Sequence, residues 1–416
     1  MAKFIITGGK KLEGEIKVSG SKNAMFPLFA ASLLTEEECK FTNVPQIKDK
    51  EVMVEILKSL GVEVSESDHS LTIRAAAMTG SEIDPNLASK LRGSIVLLGG
   101  ILGRMHKAKM SFPGGDMIGK RPIEAHISVF RTLGAKVAFN GSIELSVDKL
   151  NGSKIIMEES SVTATENAIL AAATAEGTTV IKLAAMEPHV QQLCEFLNKM
   201  GAKISGIGTT TIEIIGISKL HGAEIAIIPD SNEAASFIAL GAAVQADIKV
   251  SGLNPDFLDD FLLQLKKMNI NFEVGEDFVR TLPPKEEYMA AKIQCGLYPK
   301  LASDDVPSLA VLATIAKGES LLYEWLYENR LGYIDQLKKM GAQAEVLDPH
   351  RVKIIGPTSL KGANITSYDI RMGMTMVIAA LVAEGISEID GIEHVDRGYE
   401  NLEERLVGIG ADIKRI

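Results

Sequence analysis

A phrase of the form L-x-x-[LM]-G-[VA]-x-[VI] returns along this chain at Leu57–Val64, Phe130–Val137, Leu197–Ile204, Leu337–Val346 and Leu406–Ile413. A weaker copy runs from Leu265 to Phe272, with Asn269 in the glycine position. The turn residues Gly61, Gly134, Gly201, Asn269, Gly341 and Gly410 lie 73, 67, 68, 72 and 69 positions apart. Six units of about 70 residues follow, and the fold must be assembled from copies of one supersecondary piece. The apolar positions before each turn (Val52, Ile56, Leu57 and Leu60, for example) keep the 3.6-residue period of an amphipathic helix. Glycine or asparagine then supplies the left-handed residue that ends the helix, and a short alternating strand follows.

A second kind of helix is written in small apolar residues: Ala30-Ala31-Ser32-Leu33-Leu34, Ala168–Ala175, Phe237–Val244, Leu309–Ile315 and Met374–Ala383. Helices apolar on most sides belong at the centre of a structure. An L-x-G phrase opens several units, at Leu12, Leu150, Leu220 and Leu360. Each unit therefore reads strand, helix, strand, strand, helix, strand. The expectation is an α/β protein with helices inside and strands outside. Its six β-α-β-β-α-β repeats divide three and three between two domains. Repeat phase assigns 1–20 to the C-terminal half with 230–416, around an inserted domain of 21–229 that carries a glycine-rich loop.

A chain of 416 residues is too long for one core, which fits two domains. The formal net charge of -10 argues against a general nucleic-acid binder. Cys39, Cys194 and Cys295 are far apart, with no metal spacing, and the start M-A-K-F-I-I-T-G-G carries no export signal. Together these predict a cytoplasmic protein without a metal, and no apolar run is long enough to span a membrane.

Residues that break the repeat carry the chemistry. Phe112 to His126 reads F-P-G-G-D-M-I-G-K-R-P-I-E-A-H, a loop by its glycines and prolines, with one acid, Asp116, beside Lys120 and Arg121. A lone carboxylate near cations suits proton transfer over a bound anion, although a solvated surface loop has the same composition. Ser19-Gly20-Ser21-Lys22-Asn23 precedes a helix and suits an anion at its N-terminus, or a plain cap. Arg92, Arg121, Arg330, Arg371 and Arg397 fall at unit boundaries from both halves, the last three beside acids. Loop salt bridges would explain any one of them; together they suggest a cationic interdomain cleft for a substrate bearing phosphate and carboxylate. Asp304-Asp305 either caps a helix or takes a proton from a substrate hydroxyl. His126 and His394 read as structural.

The phrases G-E-I-K-V-S-G-S-K-N-A (14–24), P-G-G-D-x-I-G-x-R-P-x-E-x-H-I (113–127), S-V-T-A-T-E-N (161–167), Y-E-N-R (327–330), D-I-R (369–371) and H-V-D-R-G-Y-E (394–400) make the chain similar to the UDP-N-acetylglucosamine enolpyruvyl transferases over essentially its whole length. The resemblance implies a pair of inside-out α/β barrels. It also implies transfer of the enolpyruvyl group of phosphoenolpyruvate to the 3′-hydroxyl of UDP-N-acetylglucosamine, with no metal or organic cofactor. It leaves the oligomeric state open. Lys22 and Asn23 would hold phosphoenolpyruvate, with Arg121 and Arg397 on its phosphate and carboxylate. Arg92, the run Arg121, Pro122, Ile123 and Glu124, the run Glu159, Ser160, Ser161 and Val162, and Asp304 with Leu326 would contact the nucleotide sugar. Asp304 would take the 3′-hydroxyl proton, Asp116 would protonate the methylene carbon, and Arg330, Asp369 and Arg371 would stabilise the closed state or the intermediate.

Four departures stand out. Asp116 replaces the usual cysteine, which predicts resistance to fosfomycin, an alkylator of thiolates. Thr163 stands where glycine is usual, crowding the uridine. Pro229-Asp230-Ser231-Asn232-Glu233 lacks an arginine, and Ser303-Asp304-Asp305 leaves Asp304 and Asp305 both open as the base. These changes keep two alternatives in view: transfer to another sugar nucleotide or a shikimate-like alcohol, and a non-catalytic nucleotide-sugar binder.

Overall fold

The pairing of strands explains why the repeat exists. A computed structural model describes residues 2–115 and 119–416. Among the described residues there are five four-stranded sheets and one three-stranded sheet. In the unit of Lys292–Gln294, that edge strand runs parallel to Gly318–Tyr323, which pairs antiparallel with Arg351–Gly356, and Gln343–Asp348 closes the other edge. The sheets holding Thr178–Lys182, Asp247–Ser251, Glu38–Thr42 and Ile386–Asp390 repeat this order. In the three-stranded sheet a single parallel bridge from Glu82 to Lys109 stands where the fourth strand would be.

The element order corrects the sequence reading. Four of the six repeats run β-α-β-α-β-β, not β-α-β-β-α-β; the second has the Glu82 bridge in place of its first strand, and the sixth takes a strand from Lys3–Thr7. Two parallel strands need a crossover helix between them, whereas an antiparallel pair needs only a turn, so the hairpin comes last. The amphipathic helices end as the phrase predicts: Gly61, Gly134, Gly201, Asn269, Gly341 and Gly410 all have positive φ, from 60° to 101°.

Two edge strands pair away from the helix they precede. Glu13–Lys17 leads into the helix Lys22–Ser32 but pairs with Asp247–Ser251. Glu224–Ala226 leads into Ser231–Ala243 but pairs with Glu38–Thr42. The chain accordingly divides into two compact units, one of Met1–Ser19, Asp116–Lys120 and Pro229–Ile416, the other of Gly20–Gly115 and Arg121–Ile228. The strand Lys3–Thr7 completes the last sheet between Ile386–Asp390 and Asp412–Arg415.

Each unit has its own core. In the second unit the helices Lys22–Ser32, Leu97–Met105 and Val162–Ala172 touch pairwise; in the first, Ser231–Ala243, Val306–Ile315 and Ile370–Val382 do so. Nearly every residue of these helices is buried, which is why they are written in alanine, glycine and leucine. The helix Leu97–Met105 takes this furthest. A Cβ on Gly100 would lie 2.4 Å from the carbonyl oxygen of Ala30, and one on Gly99 2.7 Å from Asn167 Oδ1. Because the obstruction at Gly100 is backbone, Gly100→Ala should cost about 1–3 kcal/mol despite alanine's better helix propensity. A fall in the thermal midpoint checks this; an unchanged or raised midpoint would refute the packing argument. Among the described residues no helix is long and apolar enough to cross a membrane.

Candidate active site

In the first unit the site is organised by one carboxylate. A single turn, Ser303–Asp305, precedes the helix Val306–Ile315 and brings Asp304 among residues from three other segments. Its Oδ1 accepts from Arg330 Nη2 at 2.8 Å, and its Oδ2 accepts from Arg371 Nε at 2.9 Å and Asn232 Nδ2 at 3.1 Å. Both guanidinium groups are almost wholly buried, while the Asp304 side chain keeps 28% exposure. Arg371 Nη1 also donates to the Tyr399 hydroxyl at 3.1 Å, and that hydroxyl lies 2.8 Å from Ser236 Oγ.

Asp305 is placed differently. It is buried, its Oδ1 has no hydrogen-bond partner among the described residues, and burial together with the charge of Asp304 pushes its carboxyl well above the usual range. A group that must exchange a proton with a substrate needs access. Of the two acids, Asp304 has it.

The arginines pass over the acids next to them in sequence. Arg371 reaches Asp304, while Asp369 caps its own helix by accepting from the N–H groups of Arg371 and Met372, both at 2.9 Å. Arg330 also reaches Asp304, while Glu328 accepts from the Lys120 N–H at 3.0 Å. That hydrogen bond is the main cause holding the Glu328 carboxyl below its ordinary value. Gly119 sits beside this carboxylate at φ 144°, a backbone conformation that favours glycine. Asp396 pairs with Arg415, and Arg397, half-buried, ends the short helix Ile392–Arg397. Leu326 is exposed. Asp116 lies outside the described residues.

In the second unit Ser21 caps the helix Lys22–Ser32 through the Ala24 N–H. Lys22 Nζ lies 3.6 Å from Asp49 and over the Phe26 ring, and that ring fills the space a side chain at Gly93 would need. The turn of Arg92 and the start of this helix are thus neighbours, with Asn23 half-buried beside Lys22. The Arg92 guanidinium donates to the Arg121 carbonyl, and a Cβ at Gly115 would meet Arg92 at 2.7 Å. Pro122 and Glu124 are exposed and Ile123 half-buried where the helix Glu124–Thr132 begins. The Glu159 backbone carbonyl accepts from the Ser161 N–H at 2.8 Å, and Ser161, with half-buried Ser160 and Val162 on either side, caps Val162–Ala172.

His126 joins the two segments. Asn167 Oδ1 accepts from the Gly99 N–H at 2.6 Å, so its amide nitrogen faces Ile95 O and His126 Nδ1, at 3.0 and 2.8 Å. Nδ1 must then be the acceptor, and the Nε2 proton is donated to Thr163 Oγ1 at 3.2 Å. The hydroxyl at position 163 therefore has a protein partner. Burial first, and the Arg92 charge second, lower His126 to about 3. An unfolded histidine takes its proton near pH 6.5, so stability from the neutral ring is complete above that pH and is lost as pH falls toward 3. The slope is up to about 1.4 kcal/mol per pH unit. Urea unfolding at pH 7 and pH 5 should show a larger loss in the parent than in His126→Asn, and equal losses would refute it.

The model of the family described as EPSP synthase (3-phosphoshikimate 1-carboxyvinyltransferase) matches residues 6–406. The UDP-N-acetylglucosamine 1-carboxyvinyltransferase of Halothermothrix orenii is 40% identical over 417 residues, covering all of both chains. The chain belongs to the EPSP synthase family. The protein of the same name from Borreliella burgdorferi is 39% identical, over 100% of this chain and 99% of that one. Among solved structures, the enolpyruvyl transferase NikO from Streptomyces tendae matches with a TM-score of 0.91 at 25% identity, over 100% of this chain and 98% of that one. EPSP synthase from Acinetobacter baumannii matches with a TM-score of 0.77 at 21% identity over all of both chains, a likeness of fold. Membership makes this an α/β enolpyruvyl transferase.

Several residues of this cluster carry little sequence signal. Asn232 stands out only for a neighbouring arginine that is absent, and Tyr399 and Glu328 lie inside the recognised phrases with nothing to mark a role. Glu324 carried no signal beyond an acid at the end of an apolar run.

Proposed function

We propose that this protein transfers the enolpyruvyl group of phosphoenolpyruvate to the 3′-hydroxyl of UDP-N-acetylglucosamine, releasing phosphate, as the first committed and cytoplasmic step of peptidoglycan synthesis. Two lines support the reading: full-length identity of 40% to transferases of that name, and the constellation at Asp304. The constellation carries the chemistry. Asp304 removes the proton of the acceptor hydroxyl, whose oxygen forms a bond to C2 of phosphoenolpyruvate. Asp116 delivers a proton to the methylene carbon, giving a tetrahedral ketal. Loss of a proton from the new methyl group then breaks the C–O bond to phosphate, so that the double bond returns and phosphate leaves.

Lys22, Asn23, Arg121 and Arg397 hold phosphoenolpyruvate, where cations neutralise its phosphate and carboxylate. Arg92, the run 121–124, the run 159–162 and Leu326 contact the nucleotide sugar. Arg330 and Arg371 aim Asp304, and Asp369 fixes Arg371 through its cap. The architecture that suits this reading is a pair of inside-out α/β barrels, with helices central in each. Phosphate release from phosphoenolpyruvate tests the proposal. It should require UDP-N-acetylglucosamine. Release only with another nucleotide sugar or a shikimate-like alcohol would move the acceptor, and binding without release would favour a non-catalytic role.

A further inference from the structure

Glu324 follows the strand Gly318–Tyr323 and is fully buried. A buried carboxylate is costly unless its lone pairs are filled. Here they are. Oε1 accepts from the N–H groups of Leu326 at 2.9 Å and Tyr327 at 3.2 Å, and from the Cys295 thiol at 3.3 Å. Oε2 accepts from the Ser303 hydroxyl at 2.7 Å. The backbone of Glu324 is held as well: its N–H donates to His350 O at 2.7 Å, and its carbonyl accepts from His350 Nδ1 at 2.8 Å.

These bonds close a ring. Ser303 is the residue before Asp304, and Asp304 accepts from Arg330. Arg330 ends the segment 326–330, whose first two N–H groups return to Glu324. That segment includes Leu326 and also Glu328, the acceptor for the Lys120 N–H. One buried carboxylate therefore sets both the turn that carries Asp304 and the loop that faces it.

We propose that Glu324 is a positioning residue for the transfer step, which rests on the transferase reading above: it fixes Asp304 relative to the 326–328 segment. A displacement of about 1 Å at a reacting group can cost roughly 10²-fold in rate. Nothing in this role requires Glu324 to touch substrate.

Two substitutions weaken the same link from opposite sides. In Glu324→Gln the amide oxygen still accepts from Leu326 and Tyr327, but an NH2 group faces Ser303, so the charge-assisted bond is replaced by a reversed, neutral one in which the hydroxyl accepts. Ser303→Ala removes the donor instead. Each should lower kcat roughly 10-fold or more while leaving the KM for UDP-N-acetylglucosamine within about threefold of the parent. The double variant should be no slower than the slower single, because both act on one bond. By amide hydrogen exchange, Leu326 and Tyr327 should exchange faster in Glu324→Ala and stay protected in Glu324→Gln. The proposal is overturned by any of three results: kcat within twofold of the parent in both single variants, multiplicative losses in the double, or rates that follow only the fraction folded. If the parent releases no phosphate with any acceptor, the transferase reading falls. The exchange measurement then decides whether Glu324 holds the loop, and unchanged exchange in Glu324→Ala sinks that too. Should Glu324→Ala not fold, the two conservative variants carry the kinetic test.

Discussion

Asp304→Asn is expected to lower kcat by roughly 10²–10⁴-fold, the range general-base catalysis supplies. The substitution keeps the shape and removes the proton acceptor. It also has a structural cost that distinguishes it from an ordinary active-site change. Asparagine has one acceptor oxygen, whereas Asp304 now takes bonds from Arg330, Arg371 and Asn232. Its NH2 group would face a donor, leaving one nearly buried guanidinium without its carboxylate. Breaking a buried pair on one side costs about 3–5 kcal/mol. Inorganic phosphate should recover part of this loss by binding the freed guanidinium, so the thermal midpoint of Asp304→Asn should rise with phosphate more steeply than that of the parent. A variant within tenfold of parental kcat would remove Asp304 from the role of base.

The second large effect concerns the loop acid. Asp116→Asn should abolish phosphate release, because the methylene carbon loses its proton donor. Asp116→Cys should retain turnover and acquire time-dependent, irreversible inactivation by fosfomycin, to which the parent is expected to be indifferent. Irreversible loss of parental activity with fosfomycin would show that another nucleophile, not residue 116, is the target.

Much of the fold was readable from local chemistry. The six turn residues are required to adopt positive φ, and five of them are glycine, so the repeat could be counted directly. The small-residue helices announced their burial in composition, except Leu97–Met105, whose Gly99, Gly100 and Gly103 argue against a helix on propensity alone. Order within the unit was harder to read. A hairpin and a crossover have the same strand composition, and what separates them is the pairing direction, which periodicity does not record.

Side-chain partnership was the least legible part of the site. Arg330 and Arg371 stand beside Glu328 and Asp369 in the chain, yet both reach Asp304, 26 and 67 positions away. Nearest-neighbour reading predicts loop salt bridges there, and the fold overrides it by burying the arginines around a common acceptor. The Asn232 amide, 72 positions from Asp304, has no sequence signature for the same reason.

The pairing of the N-terminal strand sets a schedule for synthesis. Lys3 forms an ion pair with Glu388, 385 positions later, and its strand remains without neighbours until that segment emerges. At 5–20 residues per second this wait is roughly 20–80 s. The strand Glu13–Lys17 waits for Asp247–Ser251 in the same way. By contrast, the sheets and helices between Gly20 and Ile228 find their partners within that span, so this unit can complete its core while much of the other is still being made. The strand Lys3–Thr7 is thus among the last to be paired, and until then the cell must keep an extended strand with open edges from finding another partner.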